Sequence, residues 1–448
     1  MASWLARAWA RGLRVAEAPV NALIQFSVTN FRSFGGTAAL SMEAPAAVDE
    51  AFVRVVPGHA ALRLLPLAAL FGANASGKSN LLRALEAVRR LVVGQPLKSV
   101  IDPFRLTRAG REAPTGFQMD AVVDGTRVTY VLACTRDAVC AEALYATEAG
   151  GAEEVVFERD AEAEPRVELG PRLGAADSVQ RQFFALNAEG TPRDQLMLRD
   201  LAERSRDTPH RVALLEHLCR WMGEGLVSVG PSSPGPRLAD LVDNPTVTAA
   251  LGDALSRYDT GVRRLRFLPR ALSPFESLMA EVSPRGYYLR SKQPDGSVEA
   301  SELVAEHVGG EAEGPPLQFV DESDGTRRLL NLLPLLRPQP EGQCVLVDEL
   351  DRSLHAAAAQ QFVRDFLASR PTDQLIFSTH DISLLDMPEL PPASVWFVEK
   401  DGAGCSNLHA LSEVKPAQLE RLAGHFSAAY LQGRFGGVPH LRPDAAGE

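Results

Sequence analysis

The sequence predicts an α/β fold in which a β-rich lobe and an α/β core are separated by a helical insertion. Three observations carry this. A short, nearly continuous apolar run over 64–71 has the composition of a strand buried on both faces, Cys344–Val347 has the form of a buried strand, and Gln374–Ser378 reads as a further strand. Leu81, Leu82, Leu85, Val88, Leu91 and Val92 recur at helical spacing directly after the first run, and a helix is likewise expected over Ala356–Ser369. Residues 117–123, 127–134 and 154–159 alternate apolar and polar side chains, as half-buried antiparallel strands do.

Taken in order, residues 1–20 carry Arg7, Arg11 and Arg14 among Trp4, Leu5, Trp9 and Leu13. They read as an N-terminal extension, with a targeting or surface helix as the alternative. Residues 21–175 form a first lobe, opening with a strand at 23–29 in which Ile24, Phe26 and Val28 alternate with polar residues, followed by a second apolar piece at 38–42. Residues 176–260 read as the helical insertion, broken by the Gly/Pro/Ser stretch 230–236. Residues 261–448 form a second lobe. It has strands near 261–268 and 285–290, a Gly/Pro/Glu linker at 309–316, a helix over 326–336, and a final strand near 394–399.

The 448 residues allow two to four domains at roughly 100–200 residues each, and a sizeable core. A hydrophobic fraction of 45% with 23% charged residues excludes wholesale disorder or a coiled-coil rod. Lys plus Arg number 46 against 57 Asp plus Glu, and the net charge of −11 argues against a protein that coats nucleic acid through its overall field. Five scattered cysteines without a Cys-x-x-Cys pair indicate neither a disulfide framework nor a zinc ribbon, so a cytoplasmic setting is expected. No long uncharged apolar stretch suggests a membrane span.

Gly72-Ala73-Asn74-Ala75-Ser76-Gly77-Lys78-Ser79 matches G-x-x-x-x-G-K-[ST] in full, between a strand and a helix as that motif requires. Glycines at both ends let the backbone wrap a phosphate so that amides of Asn74, Ala75, Ser76 and Gly77 and the start of the helix at Ser79-Asn80 face the anion, while Lys78 reaches the β/γ oxygens. A nucleotide is the expected ligand, with Ser79 on Mg²⁺. The run ending in Asp348-Glu349 delivers two carboxylates to a sheet edge: Asp348 for Mg²⁺, Glu349 as general base toward water. Ser323-Asp324-Gly325-Thr326 opens a helix, as a cap or as a second anion site through the Ser323 hydroxyl and Gly325 amide. The strand ending at Ser378 runs into Thr379-His380-Asp381.

These pieces in this order resemble the ABC-type ATPase head of the P-loop NTPases: a β-rich lobe plus a RecA-like α/β core, with a signature at Ser323 to Thr326, a D-loop at Leu350-Asp351 and a switch histidine at His380. The strings Val28-Thr29-Asn30-Phe31-Arg32-Ser33-Phe34, Asp348-Glu349-Leu350-Asp351-Arg352-Ser353-Leu354-His355 and Tyr430-Leu431-Gln432-Gly433-Arg434-Phe435-Gly436 narrow this. They resemble the RecF/SMC/OLD-related ATPases, and within them the stand-alone RloA-like bacterial phage-defence group of AAA_15/AAA_21 type. The resemblance runs from about residue 23 to 439, and the insertion contributes no motif to it.

The resemblance implies an ATPase that forms a homodimer, or a higher even oligomer, around ATP, the signature of one copy facing the phosphate loop of the other. Glu349 and His380 would act in hydrolysis, Arg32 would lie near the nucleotide, and Ser323 and Gly325 would meet it from the second copy. Asp324 and Thr326 stand where transporter-type ABC proteins have Gly and Gln, which agrees with the narrower group. Ala356 follows His355 where these ATPases often have proline, which questions only a local turn. Gln118 is a candidate for the Q-loop by its strand context.

The function expected is ATP hydrolysis that regulates a separate nuclease or other effector in antiviral defence, with nucleic acid engaged through the complex and no membrane. A RecF-like DNA-binding clamp is the alternative; a transporter subunit fits less well. An OLD-type nuclease domain is not expected within the stretch after His380, so no nuclease activity of the chain's own is expected.

Overall fold

The computed structural model describes residues 21–56, 58–148, 151–231, 245–270, 288–292, 298–309, 316–337 and 342–438. The extension 1–20, residues 232–236 of the Gly/Pro/Ser break and residues 310–315 of the linker lie outside them. The chain divides into two compact units. Among the described residues, the larger comprises those within 21–227, 342–348 and 371–438, and the smaller those within 228–337 and 349–370.

In the larger unit, β1 (Ala22–Phe31) and β2 (Phe34–Ser41) pair antiparallel through the turn at Arg32 and Ser33. A hairpin of β3 (Arg54–Val56) and β4 (His59–Leu64) leads into β5 (Leu67–Phe71). Next come β6 (Thr115–Val123), β7 (Thr126–Cys134), β8 (Val139–Thr147), β9 (Glu153–Asp160) and β10 (Val167–Leu169). They complete a seven-stranded antiparallel sheet ordered β10-β9-β8-β7-β6-β1-β2. On β1 the alternation is realised as read, with Ile24, Phe26 and Val28 buried and Gln25, Ser27 and Thr29 partly exposed.

β8 is a strand that the alternation did not announce. Its inward residues include Glu142 and Ala146 beside Val139 and Leu144, so small and acidic side chains break the apolar period. Between the expected strands 117–123 and 154–159 there are therefore two strands, β7 and β8, not one.

β11 (Leu226–Val229) is the first strand of the second sheet. The smaller unit holds β12 (Val262–Arg270), β13 (Tyr288–Lys292), β14 (Val298–His307) and β15 (Leu317–Gln318), all antiparallel. Its helix Asp324–Leu332 passes into a 3₁₀ turn at Leu333–Leu336, where Pro334 has no N–H to continue the helix expected to 336. The helix Ala356–Ser369 begins where expected. His355 caps it, its Nδ1 accepting from the Ala357 N–H at 3.2 Å, so the turn survives without proline.

Returning to the larger unit, β16 (Cys344–Val347), β17 (Gln374–Ser378), β18 (Val395–Lys400) and β19 (Ser406–Ala410) join β5 and β11 in the order β11-β16-β17-β5-β18-β19. β16, β17, β5 and β18 run parallel, and β19 returns antiparallel. Each residue of β5, β16 and β17 is buried, as their apolar runs required. Parallel strands place their carboxyl ends on one edge, so Phe71, Val347 and Ser378 lead into loops on the same side.

The helix Lys78–Val92 buries Leu81, Leu82, Leu85, Val88 and Leu91 in a cluster with Phe26, Phe31 and Tyr130 of the antiparallel sheet and with Leu70, Leu346 and Ile376 of the parallel one. Each such side chain contributes about 1.5–3 kcal/mol on burial, so the helix is fixed by both sheets. The segment read as an insertion contains helices Val179–Gly190, Met197–Ser205, Ala213–Arg220 and Pro245–Arg257, with β11 between the last two. Among the described residues no helix is long and apolar enough to cross a membrane.

Candidate functional site

The loop between β5 and the Lys78–Val92 helix turns on two glycines with φ of +148° (Gly72) and +124° (Gly77). Both are required by space as well as by conformation. A Cβ on Gly72 would lie 2.2 Å from the Val398 carbonyl oxygen, and one on Gly77 would lie 2.3 Å from Ser406 Oγ. Ala75 adopts a φ of +60°, in the left-handed region that a non-glycine residue occupies only under constraint. Gly77 caps the helix without a side-chain hydrogen bond, and the Ser76 hydroxyl is buried without a partner among the described residues. A concave run of backbone, an uncapped helix start and an orphaned hydroxyl suit an oxyanion.

Lys78 is buried and donates from Nζ to Gly72 O at 2.7 Å and Ala73 O at 3.0 Å, which holds its ammonium at the loop. The next residue, Ser79, donates to Asp348 Oδ1 at 2.8 Å, and Ser378 donates to the same oxygen at 2.6 Å. Asp348 follows β16 directly, and the β16–β17 register pairs Val347 with Phe377, which puts Asp348 beside Ser378. A hydroxyl and a carboxylate oxygen at one point form a hard donor pair that fits Mg²⁺, an ion usually held by one or two carboxylates with water and phosphate completing its shell. Among the described residues no cluster of three or more His, Cys, Asp or Glu side chains offers an all-protein cage instead.

His380 stands exposed just past β17. Its turn is fixed on both sides, by the Thr379 N–H on Leu70 O at 3.1 Å and by the Asp381 N–H on Thr379 Oγ1 at 3.0 Å.

Arg32 has a φ of +51° and donates its N–H to Asp102 O at 2.7 Å, while its Nε lies 3.6 Å from Asp102 Oδ2. Partial burial lowers its pKa, Asp102 opposes this, and Arg83, Arg105 and Arg90 press in the same direction as burial. Its neighbour Ser33 reaches the loop directly, accepting from Asn80 Nδ2 at 2.8 Å. Asn30, from the same string, is buried and structural: its amide donates to Gly110 O and Ala113 O, and its Oδ1 accepts from the Phe104 N–H. Gln118 lies on β6 and donates to Asp120.

The far side of the loop is closed by the segment after β19. A Cβ on Gly437 would sit 3.5 Å from Gly72 Cα, and that backbone is held by Tyr430 donating to Gly437 O at 2.8 Å and by Gly437 N–H on Glu399 Oε2 at 3.1 Å. The Phe397 ring stacks on Tyr430 and Phe435 at 5.3 and 5.7 Å.

In the smaller unit, Ser323 caps the Asp324–Leu332 helix, its Oγ accepting from the Thr326 N–H at 3.1 Å and lying 2.8 Å from Thr326 Oγ1. A Cβ on Gly325 would come within 2.7 Å of Ser353 O, so the residue packs against the segment after Glu349. Glu349 has a φ of +50°, and Arg352 lies 3.5 Å from its Oε2. Arg328 is buried and donates to Glu349 O and Gly230 O, both at 2.8 Å, which fixes the glutamate's backbone in that turn.

The family described as "AAA domain, putative AbiEii toxin, Type IV TA system" (AAA_21) matches residues 67–386, more than half of the chain. The chain belongs to the AAA_21 family. It therefore carries an AAA-type ATPase domain with a P-loop α/β fold. The AAA_21 match opens on β5 and closes beyond His380, so it spans the phosphate loop, Ser323, Asp348 and Glu349 and leaves Arg32, Ser33 and Ser406 outside. No curated protein matches the chain. Among solved structures it is similar to the SMC head domain from Thermotoga maritima, at 14% identity and a TM-score of 0.37 over 87% of this chain and 98% of that one. It is also similar to the Smc head domain with an extended coiled coil bound to the C-terminal domain of ScpA, derived from Pyrococcus furiosus, at 14% identity and 0.37 over 90% and 99%. At these scores neither carries an argument.

In the larger unit of this AAA_21 chain, Ser33, Ser378 and Ser406 shape the phosphate loop and its acidic partner without having been assigned to the site from sequence; in the smaller unit the same holds of Arg328, which fixes the Glu349 backbone. Ser378 had a usable signal, since parallel strands that both end at the ligand edge place their terminal polar residues side by side. The other three act across longer sequence separations, and Ser33, although it lies in the Val28–Phe34 string, gains its role only from Asn80 and Ser406.

Proposed function

We propose that the chain is an ATP-driven switch that closes as a homodimer, or a higher even oligomer, around ATP and regulates a separate nuclease or other effector in bacterial antiviral defence, as in the RloA-like group. The observation that carries this reading is the convergence of Ser79 and Ser378 on Asp348 beside the Lys78 loop. It gives one place for a triphosphate and its cation. The family description, which names a putative toxin of a type IV toxin–antitoxin system, supports the defence role.

In this reading the amides of residues 74–77 and Lys78 bind the phosphates, Asn80 supports the loop, and Ser79 and Asp348 hold Mg²⁺. The ion would neutralise charge developing on the phosphoryl oxygens. Glu349 takes a proton from water as its oxygen attacks the γ-phosphorus, the bond to the β–γ bridging oxygen breaks, and ADP and phosphate leave. His380 contacts the transferring group, Arg32 lies near the nucleotide, and Ser323 and Gly325 of a second copy close over it. Because the closed form alone has the complete site, ATP shifts the population toward it by its differential affinity.

The test is the purified protein with ATP and Mg²⁺. Magnesium-dependent phosphate release with DNA and RNA left intact is expected; robust cleavage by the pure chain would overturn the separate-effector reading.

The RecF-like reading is favoured by one observation, the grouping of Arg32 with Arg83, Arg90 and Arg105 in a chain of net charge −11. Tight, salt-sensitive DNA binding by the protein alone would select it.

A further inference from the structure

Two hydroxyls from distant parts of the chain occupy the space where a side chain on Gly77 would be. Ser33 comes from the turn after β1 and Ser406 opens β19, and the Ser406 N–H donates to Ser33 O at 2.7 Å, so the two turns are tied. Ser33 Oγ accepts from Asn80 Nδ2 at 2.8 Å, the two hydroxyl oxygens are 2.8 Å apart, and Ser406 Oγ meets the Ser76 carbonyl oxygen.

Proton counting fixes the direction of this chain. A hydroxyl has one proton, and a carbonyl can only accept. All three contacts are satisfied together in one arrangement: the Asn80 amide donates to Ser33, Ser33 to Ser406, and Ser406 to Ser76 O. Ser406 is buried, so water does not substitute for it.

The carbonyl at the end of the chain belongs to the Ser76–Gly77 peptide. In a trans peptide the C=O and the following N–H point in opposite directions. Holding Ser76 O against Ser406 therefore turns the Gly77 N–H away from β19. We propose that Ser33 and Ser406 are positioning residues for the phosphate loop: their hydroxyl relay sets the Ser76–Gly77 peptide plane so that the Gly77 amide faces the nucleotide's phosphates. The inference rests on the phosphate-loop reading. Both residues lie outside the stretch that the family covers.

The test compares wild type, Ser406→Ala, Ser33→Ala, the double variant and Ser33→Thr. Affinity is read with a fluorescent ATP analogue and Mg²⁺, alongside steady-state ATPase kinetics and melting temperature. One hydrogen bond's usual net worth corresponds to about 2- to 12-fold in affinity. Each alanine variant is expected to raise Kd and KM by about 3- to 10-fold, with kcat within about twofold and the melting temperature held. The double variant should be no worse than the weaker single, because either change already breaks the relay. Ser33→Thr restores the hydroxyl and should return Kd to within about twofold of wild type.

Wild type that binds ATP while both alanine variants bind equally well would overturn the inference and leave the nucleotide reading standing. Affinity that falls only in step with melting temperature would also overturn it. Wild type that does not bind ATP would sink the nucleotide reading and the inference with it. Should Ser406→Ala fail to fold, Ser33→Ala and Ser33→Thr decide.

Discussion

Ser79 Oγ and Asp348 Oδ1, far apart in sequence, stand 2.8 Å apart in the fold, and Ser378 Oγ shares the same carboxylate oxygen. The contact exists because β16 and β5 both lie in one parallel sheet, separated by β17, with their carboxyl ends on one edge. Asp348→Asn keeps the shape and removes the charge that a divalent cation needs. ATPase activity is expected to fall about 100-fold, roughly 2.7 kcal/mol, and the Mg²⁺ concentration for half-maximal activity to rise. A phosphate-release assay across a magnesium series checks both; an unchanged magnesium midpoint would count against Asp348 as a ligand.

Lys78 bridges Gly72 O and Ala73 O, so it organises the loop as well as carrying charge. Lys78→Ala should weaken ATP binding by more than about 30-fold, since a charge-assisted contact and the loop's internal bonds are lost together. Titration with a labelled nucleotide reads this directly. Retained micromolar binding would show that the loop does not hold the triphosphate.

Glu349→Gln removes the base and keeps a side chain of the same shape in the turn that Arg328 fixes. Turnover should drop by about 10²–10³-fold, consistent with general-base catalysis, while ATP binding is kept. Light scattering should then find an ATP-dependent dimer. Monomer alone under saturating ATP would speak against closure around the nucleotide.

Glu142 predicts a stability effect away from the loop. It is buried on β8 and accepts from Met197 N at 2.6 Å, Leu198 N at 2.8 Å and the Tyr130 hydroxyl at 3.0 Å, so it caps the Met197–Ser205 helix from another element. Glu142→Gln turns an amide NH₂ toward backbone donors and should cost about 2–4 kcal/mol in urea unfolding. Burial pushes the Glu142 carboxyl above its ordinary 4.5, against the pull of the Leu198 and Met197 amides. A raised carboxylate binds more protons folded than unfolded, so its contribution is fully present below about pH 4.5 and declines as pH rises through the raised value. The gap between wild type and variant should narrow over that window; a widening gap would contradict the direction of the shift.

Much of this was legible beforehand, and the reasons differ by element. The buried strands Leu67–Phe71 and Cys344–Val347 could be read because parallel strands are apolar on both faces, a signal local to a few residues. β8 could not, since its inward face holds Glu142, whose backbone donors, Met197 and Leu198, lie more than fifty residues further along the chain. Likewise β19 is short and half polar, and Ser406 gains meaning only from Ser33 and Ser76. Motifs that act through their own backbone are visible in sequence; supports assembled from remote segments are not.

The wall behind Gly72 and Gly77 has a consequence for biosynthesis. β5 leaves the ribosome early, yet its sheet neighbours β17 and β18, the Ser406 hydroxyl and the Gly437 backbone follow some 300 residues later. At about 5–20 residues per second, the 365 residues from Gly72 to Gly437 take roughly 18 to 73 seconds, during which the emerging chain carries its phosphate loop without its full support. Competence to hold a nucleotide is thus acquired only once translation has passed Gly437, and a prematurely terminated product would carry the motif without the means to keep it in shape.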